Sequence, residues 1–252
     1  MANRLMTEEG CSDKEIAKEL SLLTMYDLVM LIDDSASMFD EEDGKRRETL
    51  KRVLENICRI YKLARPEGIV SVKFLNCPQG RKNVKNADFL DNHPWNGVTR
   101  IGTELKKILD TFVFLKKMTK PLLIMVITDG GVEGERKDTL TGVISKCVTA
   151  LERKKKGKHA VSFHFSKVGN DRAAEKFLRD LDNHSKVGEY VDCLQSRRLE
   201  EIDDKDMKWV LLPKLLLGAI SEKWDDRDDK PGVGTDTGGN TNSKPELEDI
   251  ED

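Results

Sequence analysis

Five oxygen-bearing residues stand at places in this sequence where a divalent cation could be held. Asp33, Ser35 and Ser37 alternate within Asp33-Asp34-Ser35-Ala36-Ser37. Thr99 lies in Asn96-Gly97-Val98-Thr99-Arg100-Ile101-Gly102-Thr103, and Asp129 sits between Thr128 and Gly130-Gly131. Magnesium prefers oxygen ligands in near-octahedral geometry and keeps part of its water. The hydroxyls of Ser35, Ser37 and Thr99 are neutral ligands of that kind, while Asp33 and Asp129 would balance the charge directly or through water. With so few anionic ligands the ion stays electron-poor, and an open position on it would accept a carboxylate from another protein. No general base or nucleophile accompanies the set, so the chemistry is binding rather than catalysis. Asp34, between the alternating positions, reads as a solvated or loop-bonded neighbour.

To act together, these residues must be carried to one place by the fold. Residues 27–32 (DLVMLI) form a nearly unbroken apolar run, the mark of a strand covered on both faces. Residues 69–75, 121–128 and 160–168 read as further strands, with a short one near 187–192. Between them, apolar residues recur at helical spacing: Leu50, Val53, Leu54, Ile57, Tyr61 and Ala64, then Leu105 to Phe112, Leu140 to Leu151, and Ala174 to Leu181. A last helical stretch spans about 205–220, which Pro213 should kink or split. Alternating β and α elements with buried strands imply a doubly wound α/β domain, a mostly parallel sheet with helices on both faces. Ligands of such sheets bind outside the carboxyl ends of the strands. Asp33 to Ser37, Thr99 and Asp129 all fall in loops at that rim.

These three loops resemble the von Willebrand factor A (vWA) domain family. Asp33-x-Ser35-x-Ser37 is similar to its DxSxS signature, Gly97-Val98-Thr99-Arg100-Ile101-Gly102 to its Gly-Gly-Thr-x-x-Gly turn, and Thr128-Asp129-Gly130 to its third element. The resemblance covers roughly residues 25 to 220. It implies a metal-ion-dependent adhesion site in which Asp33, Ser35, Ser37, Thr99 and Asp129 hold Mg2+, with Mn2+ or Ca2+ as alternatives, and a partner protein's Asp or Glu completes the coordination. Three departures stand beside it. Val98 replaces the second glycine, and Thr103 is a competing hydroxyl, Thr99 being favoured by the Arg-Ile-Gly that follows it. The family's antiparallel edge strand falls in a polar stretch, 77–95, where it is short, near Asn83–Lys85, or missing.

Two other readings remain. Asp33-Asp34 could be the acidic pair of a receiver-type domain, with Asp129 as phosphoacceptor and Lys167 in support, or Asp33 the nucleophile of a phosphatase that needs an Asp where Ser35 stands. The third is a vWA-like scaffold with no metal. The basic runs at Lys45-Arg46-Arg47, Lys116-Lys117, Arg153 to Lys156 and Arg197-Arg198 read as solvated helix faces rather than a nucleic-acid surface. His93, His159, His164 and His184 lack ligand spacing, and His164, inside a strand, reads as a packed residue.

The 252 residues carry a formal net charge of −3, distributed unevenly. From Glu222 onward 11 acidic and 4 basic residues leave −7, so the body before them carries +4, too little to argue for nucleic acid. Domains are expected at 1–24 (a flanking helix opened by a Ser12/Glu15 capping box), 25–221 (the vWA-like domain) and 222–252 (a disordered acidic tail). No run approaches the roughly 20 apolar residues of a membrane span. The five scattered cysteines form no disulfide framework, and Cys58 and Cys147 fall on apolar stripes. The expectation is a non-enzymatic, cytoplasmic, protein-binding module of unspecified oligomeric state, with no nucleic-acid partner.

Overall fold

The computed structural model describes residues 1–115, 118–194 and 197–225, without the side chains of Arg197 and Arg198. The basic pair Lys116-Lys117 and the acidic stretch from 226 lie outside the described residues. Six strands form one sheet: β1 (Asp27–Ile32), β2 (Ile69–Phe74), β3 (Arg81–Val84), β4 (Leu122–Thr128), β5 (Val161–Lys167) and β6 (Val191–Leu194), in spatial order β3-β2-β1-β4-β5-β6. All neighbours are parallel except β3, which pairs antiparallel to β2 with Ile69 opposite Val84. The order reverses at β1, between β2 and β4, which places the carboxyl ends of β1 and β4 side by side. That is where a doubly wound sheet opens its ligand crevice.

Strand residues alternate between two cores. Leu28, Met30, Ile32, Met125 and Ile127 face one layer, and Val29, Leu31, Ile124, Val126, Phe163 and Phe165 the other. The first layer holds α1 (Ala2–Glu8), α2 (Lys14–Leu20), α3 (Ser37–Asp40), α4 (Lys45–Ala64), and later α8 (Lys205–Leu217) and α9 (Glu222–Asp225). The second holds α5 (Ile101–Leu109), α6 (Thr139–Arg153) and α7 (Arg172–Asp182). β1 and β4 are buried almost throughout, which is why they read as continuous apolar runs, while β5, equally buried, alternates apolar residues with Ser162, His164 and Ser166. Among the described residues no helix is long and apolar enough to cross a membrane.

Several sequence expectations shift. The cap of α2 is Asp13, not Ser12: its carboxylate accepts from the Glu15 and Ile16 amides at 2.8 and 3.1 Å, and a carboxylate one residue closer satisfies both orphan donors. The flank is two helices, α1 and α2, rather than one. The last strand runs Val191–Leu194, four residues beyond the expected start, because Gly188–Tyr190 make a 3-10 turn. The edge strand exists, at Arg81–Val84. Pro213 does not split α8, which continues to Leu217. Residues Leu211 to Leu217 are all buried there, and side chains of that size contribute about 1.5–3 kcal/mol each, enough to offset the roughly 3 kcal/mol of an internal proline. At the far end Glu222–Asp225 form α9, and Trp224, buried, donates its Nε1–H to Glu19 Oε2 at 2.6 Å. The expected boundary at 221 falls immediately before α9.

His164 is packed, as its place in a strand suggested, but with polar partners. Its Nδ1 lies 2.6 Å from Asp192 Oδ2 and its Nε2 2.7 Å from Ser166 Oγ, while Lys214 Nζ donates to Asp192 Oδ1 at 2.6 Å. Burial alone would push the Asp192 carboxyl up, but His164 and Lys214 hold it below the ordinary aspartate value. Ser166, His164 and Asp192 sit between β5, β6 and α8 with at most 1% exposure, so the hydroxyl is closed off from solvent. Replacing Lys214 with Met leaves a buried carboxylate without its ammonium. The expected loss is about 3–5 kcal/mol, read from urea unfolding; a loss under about 1 kcal/mol would mean that the pair is solvated.

Candidate functional site

The rim above β1 and β4 is built from backbone outward. β1 ends at Ile32, and Asp33, 0% exposed, turns its carboxylate inward. Asp33 Oδ1 accepts the Ser35 amide at 2.9 Å, and Oδ2 accepts the Thr128 hydroxyl at 2.6 Å and the Thr99 hydroxyl at 3.4 Å. Ser35 and Ser37 place their hydroxyls 3.1 Å apart, Ser37 opening α3. The hydroxyls and carboxylates of Asp33, Ser35, Ser37 and Thr99 are therefore gathered at one point, with Asp129 beside them at the end of β4. Burial first, and then the neighbouring Asp129 carboxylate, push the Asp33 carboxyl up to about 6, against the hydrogen bonds from Thr128 and Ser35.

Of its two expectations, loop-bonded or solvated, Asp34 shows the first. It is 1% exposed, and its carboxylate accepts the Asn76 and Cys77 amides at 2.8 and 3.0 Å, with His93 Nε2 2.9 Å away. The imidazole of His93 stacks on Phe74 with ring centres 3.9 Å apart. Asn76 then accepts the Val98 amide through Oδ1 at 3.1 Å, and Asn96 donates to the Asp34 carbonyl at 2.8 Å. This chain of bonds sets the loop carrying Thr99. Gly97 makes it fit: φ is +91° and a Cβ there would lie 2.3 Å from Asn76 Oδ1. The positive φ falls at Gly97 and not at Val98, so the departure from a second glycine leaves the loop intact.

Thr99 and Thr103 take different work. Thr99 is 4% exposed and faces Asp33, while Thr103 gives its hydroxyl to Glu135 Oε2 at 2.7 Å. Glu135 also accepts the Gly102 and Thr103 amides at 2.7 and 2.8 Å, placing a carboxylate on the amino end of α5. The competing hydroxyl is thus consumed in capping.

The residue that sequence reading missed is Arg46, expected on a solvated face. It is 4% exposed, and its Nη1 donates to Asp129 Oδ2 at 2.8 Å. Nε pairs with Glu42 at 2.9 Å and Nη2 with Glu41 at 2.7 Å. Gly169, at φ +75°, lies so close that a Cβ would stand 2.5 Å from Arg46 Nε. The signal was present: Arg46 precedes Leu50, Val53 and Ile57 at helical spacing, on the buried stripe of α4. The approach to Arg46 is strained as well, for Glu42 and Asp43 hold φ of +54° and +55° before Gly44.

Solved structures similar to the chain include a pilus adhesin, SpaC from Lactobacillus rhamnosus GG, with a TM-score of 0.51 and 11% identity over 77% of this chain and 30% of that one. Proximal thread matrix protein 1 of the mussel byssus is similar at 0.49 and 15% identity, over 76% and 48%. The SpRpn10 VWA domain is similar at 0.45 and 14%, over 70% and 92%. The likeness is one of fold. This chain spans less than half the length of the first two. No family profile and no curated protein matches the sequence.

Whether the rim suits a cation turns on its donor set. Among the described residues no group of three or more His, Cys, Asp or Glu could hold a metal, so an ion would depend on hydroxyls and water beside two carboxylates. One atom of the rim is left over: Asp129 Oδ1 is buried and has no hydrogen-bond partner among the described residues, although Oδ2 is taken by Arg46. An orphaned carboxylate oxygen beside three hydroxyls fits a hard divalent ion. A phosphoryl-transfer site fits less well. Lys167 donates to the Asp171 carbonyl at 3.2 Å and lies 3.8 Å from Glu175, with no ion pair to Asp33 or Asp129, and Ser35 stands where a phosphatase needs its second carboxylate.

Proposed function

We propose that the chain is a vWA-type protein-binding module whose rim takes a divalent cation, magnesium first, through Asp33, Ser35, Ser37, Thr99 and Asp129. When bound, the ion supplies a Lewis-acidic position that a partner's Asp or Glu fills. The observation that carries this reading is Asp129 Oδ1, a buried carboxylate oxygen with no hydrogen-bond partner among the described residues. Thr99 and the paired hydroxyls of Ser35 and Ser37 add neutral oxygens, which leave an ion hungry for a further anion. Around the rim, Phe39 and Val98 are 48% and 38% exposed, and Arg47 lies over the Phe39 ring at 5.1 Å. An acidic residue flanked by apolar ones would meet complementary surface there. The whole is a binding device in an intracellular assembly.

A second reading is favoured by Arg46: a guanidinium already neutralises half of Asp129, so the same rim serves as a metal-free scaffold. Calorimetry separates the two. Magnesium or manganese titrated into chelator-stripped protein, with excess acetate as a stand-in for the partner carboxylate, is expected to bind one ion per chain. Asp33→Ala and Thr99→Ala should abolish the heat, and Thr103→Ala should keep it. No saturable heat with either metal, with or without acetate, would overturn the cation site and leave the scaffold.

A further inference from the structure

The opposite end of the sheet carries a second concentration of charge. A cleft of about 410 Å3 opens at the amino ends of β1, β4 and β5, with Tyr26, Met118 and Pro121 as apolar floor and Lys120, Lys156 and Lys158 around it. No carboxylate is among its lining residues. Lys156 makes no ion pair among the described residues, and Lys158 has only a long one, 3.7 Å to Glu189. Apolar side chains border the same end: Met25 is 54% exposed, Phe114 41% and Leu115 82%. Lys154 joins them, its Nζ 5.9 Å from the centre of the Phe114 ring. Cations interleaved with exposed apolar groups mark an interaction surface for a ligand that is both acidic and apolar.

The chain itself contains such a ligand. Residues 226–252 hold nine acidic and three basic residues, and the last seven, from Glu246 to Asp252, place five carboxylates around Leu247 and Ile250. The described chain also leaves the fold at the right end. Lys223 and Trp224 bind Glu19, near the carboxyl end of α2. The turn Ser21–Met25 follows α2 directly, and its Thr24 carbonyl receives Lys120 Nζ at 2.8 Å. The 27 residues that follow Asp225 are chain enough to reach about 30 Å. Exit point, reach, charge and apolar content agree.

We infer that Glu246–Asp252 docks in this cleft, with its carboxylates toward Lys120, Lys154, Lys156 and Lys158 and Leu247 and Ile250 toward the apolar floor, and so shields the surface from other acidic partners. The inference is independent of the metal reading. Tethering gives the segment an effective concentration of about millimolar, so a separate copy competes poorly against it.

The test uses the full 252-residue chain and a fluorescent synthetic peptide of residues 243–252. In one variant the five terminal acids are neutralised together (E246Q, E248Q, D249N, E251Q, D252N). This variant should bind the peptide saturably by fluorescence polarisation, more weakly at high salt, and at least about tenfold better than the unaltered chain. Adding K120E, K156E and K158E should remove that binding, while circular dichroism confirms the fold. Equal binding by the unaltered and neutralised chains, no binding by either, or binding indifferent to the three charge reversals would overturn the inference. So would capture of phosphatidylserine vesicles by the neutralised chain without binding of the peptide, which would assign the surface to a membrane.

Discussion

Replacing Arg46 with Met is expected to destabilise the metal-free protein by about 3–5 kcal/mol, and magnesium is expected to restore a large part of that loss. The first half follows from burial. The guanidinium is 4% exposed and Asp129 0%, so removing one partner strands the other's charge away from water. Glu41 and Glu42 lose their common cation at the same moment, and the left-handed turn through Glu42 and Asp43 loses the contact that holds it. The second half follows from what remains: two buried carboxylates, Asp33 and Asp129, with no internal positive charge between them. A divalent ion then neutralises what Arg46 had neutralised, and its binding energy appears as stability. Urea unfolding in chelator and in excess magnesium measures both. The magnesium-induced gain should be larger in Arg46→Met than in the unaltered chain. Asp129→Asn in the same background should lose less than the sum of the two single changes, because the stranded charge is gone. A gain from magnesium equal in both proteins would mean that Asp129 takes no part in holding the ion.

Arg46 also shows where sequence reading stops. The sheet was legible because strands covered on both faces must be apolar throughout, as in DLVMLI and LLIMVIT, and no other element of this length has that need. The rim residues were legible because a doubly wound sheet exposes ligands at strand ends, which singles out Asp33, Thr99 and Asp129 before any contact is known. Arg46 lies 83 residues from its partner Asp129, and beside Lys45 and Arg47 it has the composition of a solvated run. Only the stripe it shares with Leu50 and Val53 distinguishes it, and stripes are read for apolar residues. Thr103 was a rival to Thr99 because its partner, Glu135, is supplied by a loop on the far side of β4. Asp13 outcompeted Ser12 by a single residue of register, the scale at which helix ends are least determined by pattern. Pro213 misled for the opposite reason: its local penalty is real, and seven consecutive buried positions outweigh it.

The second large effect is in pH. Asp33 is held at about 6 by burial and by Asp129, against about 3.9 for an exposed aspartate, so between those values the folded protein binds a proton that the unfolded chain has released. Stability contributed by this group is therefore complete below pH about 4 and is lost as pH rises through about 6, amounting to about 3 kcal/mol. Other carboxyls act in the opposite sense, Asp192 among them, whose lowered value favours the fold above the usual aspartate range. The difference between the unaltered chain and Asp33→Asn isolates the effect. In chelator, urea unfolding from pH 4 to 7.5 should show the unaltered chain losing ground to the variant across that window and running parallel to it above. Magnesium selects the ionised carboxylate, so its affinity should fall as pH drops below about 6, with uptake of the ion releasing a proton measurable by calorimetry in buffers of different ionisation heat. Parallel profiles throughout would mean that Asp33 is ionised at all these pH values. The rim would then have to be solvated more deeply than its burial implies, and the case for a water-poor cation pocket at Asp33 and Asp129 would fall with it.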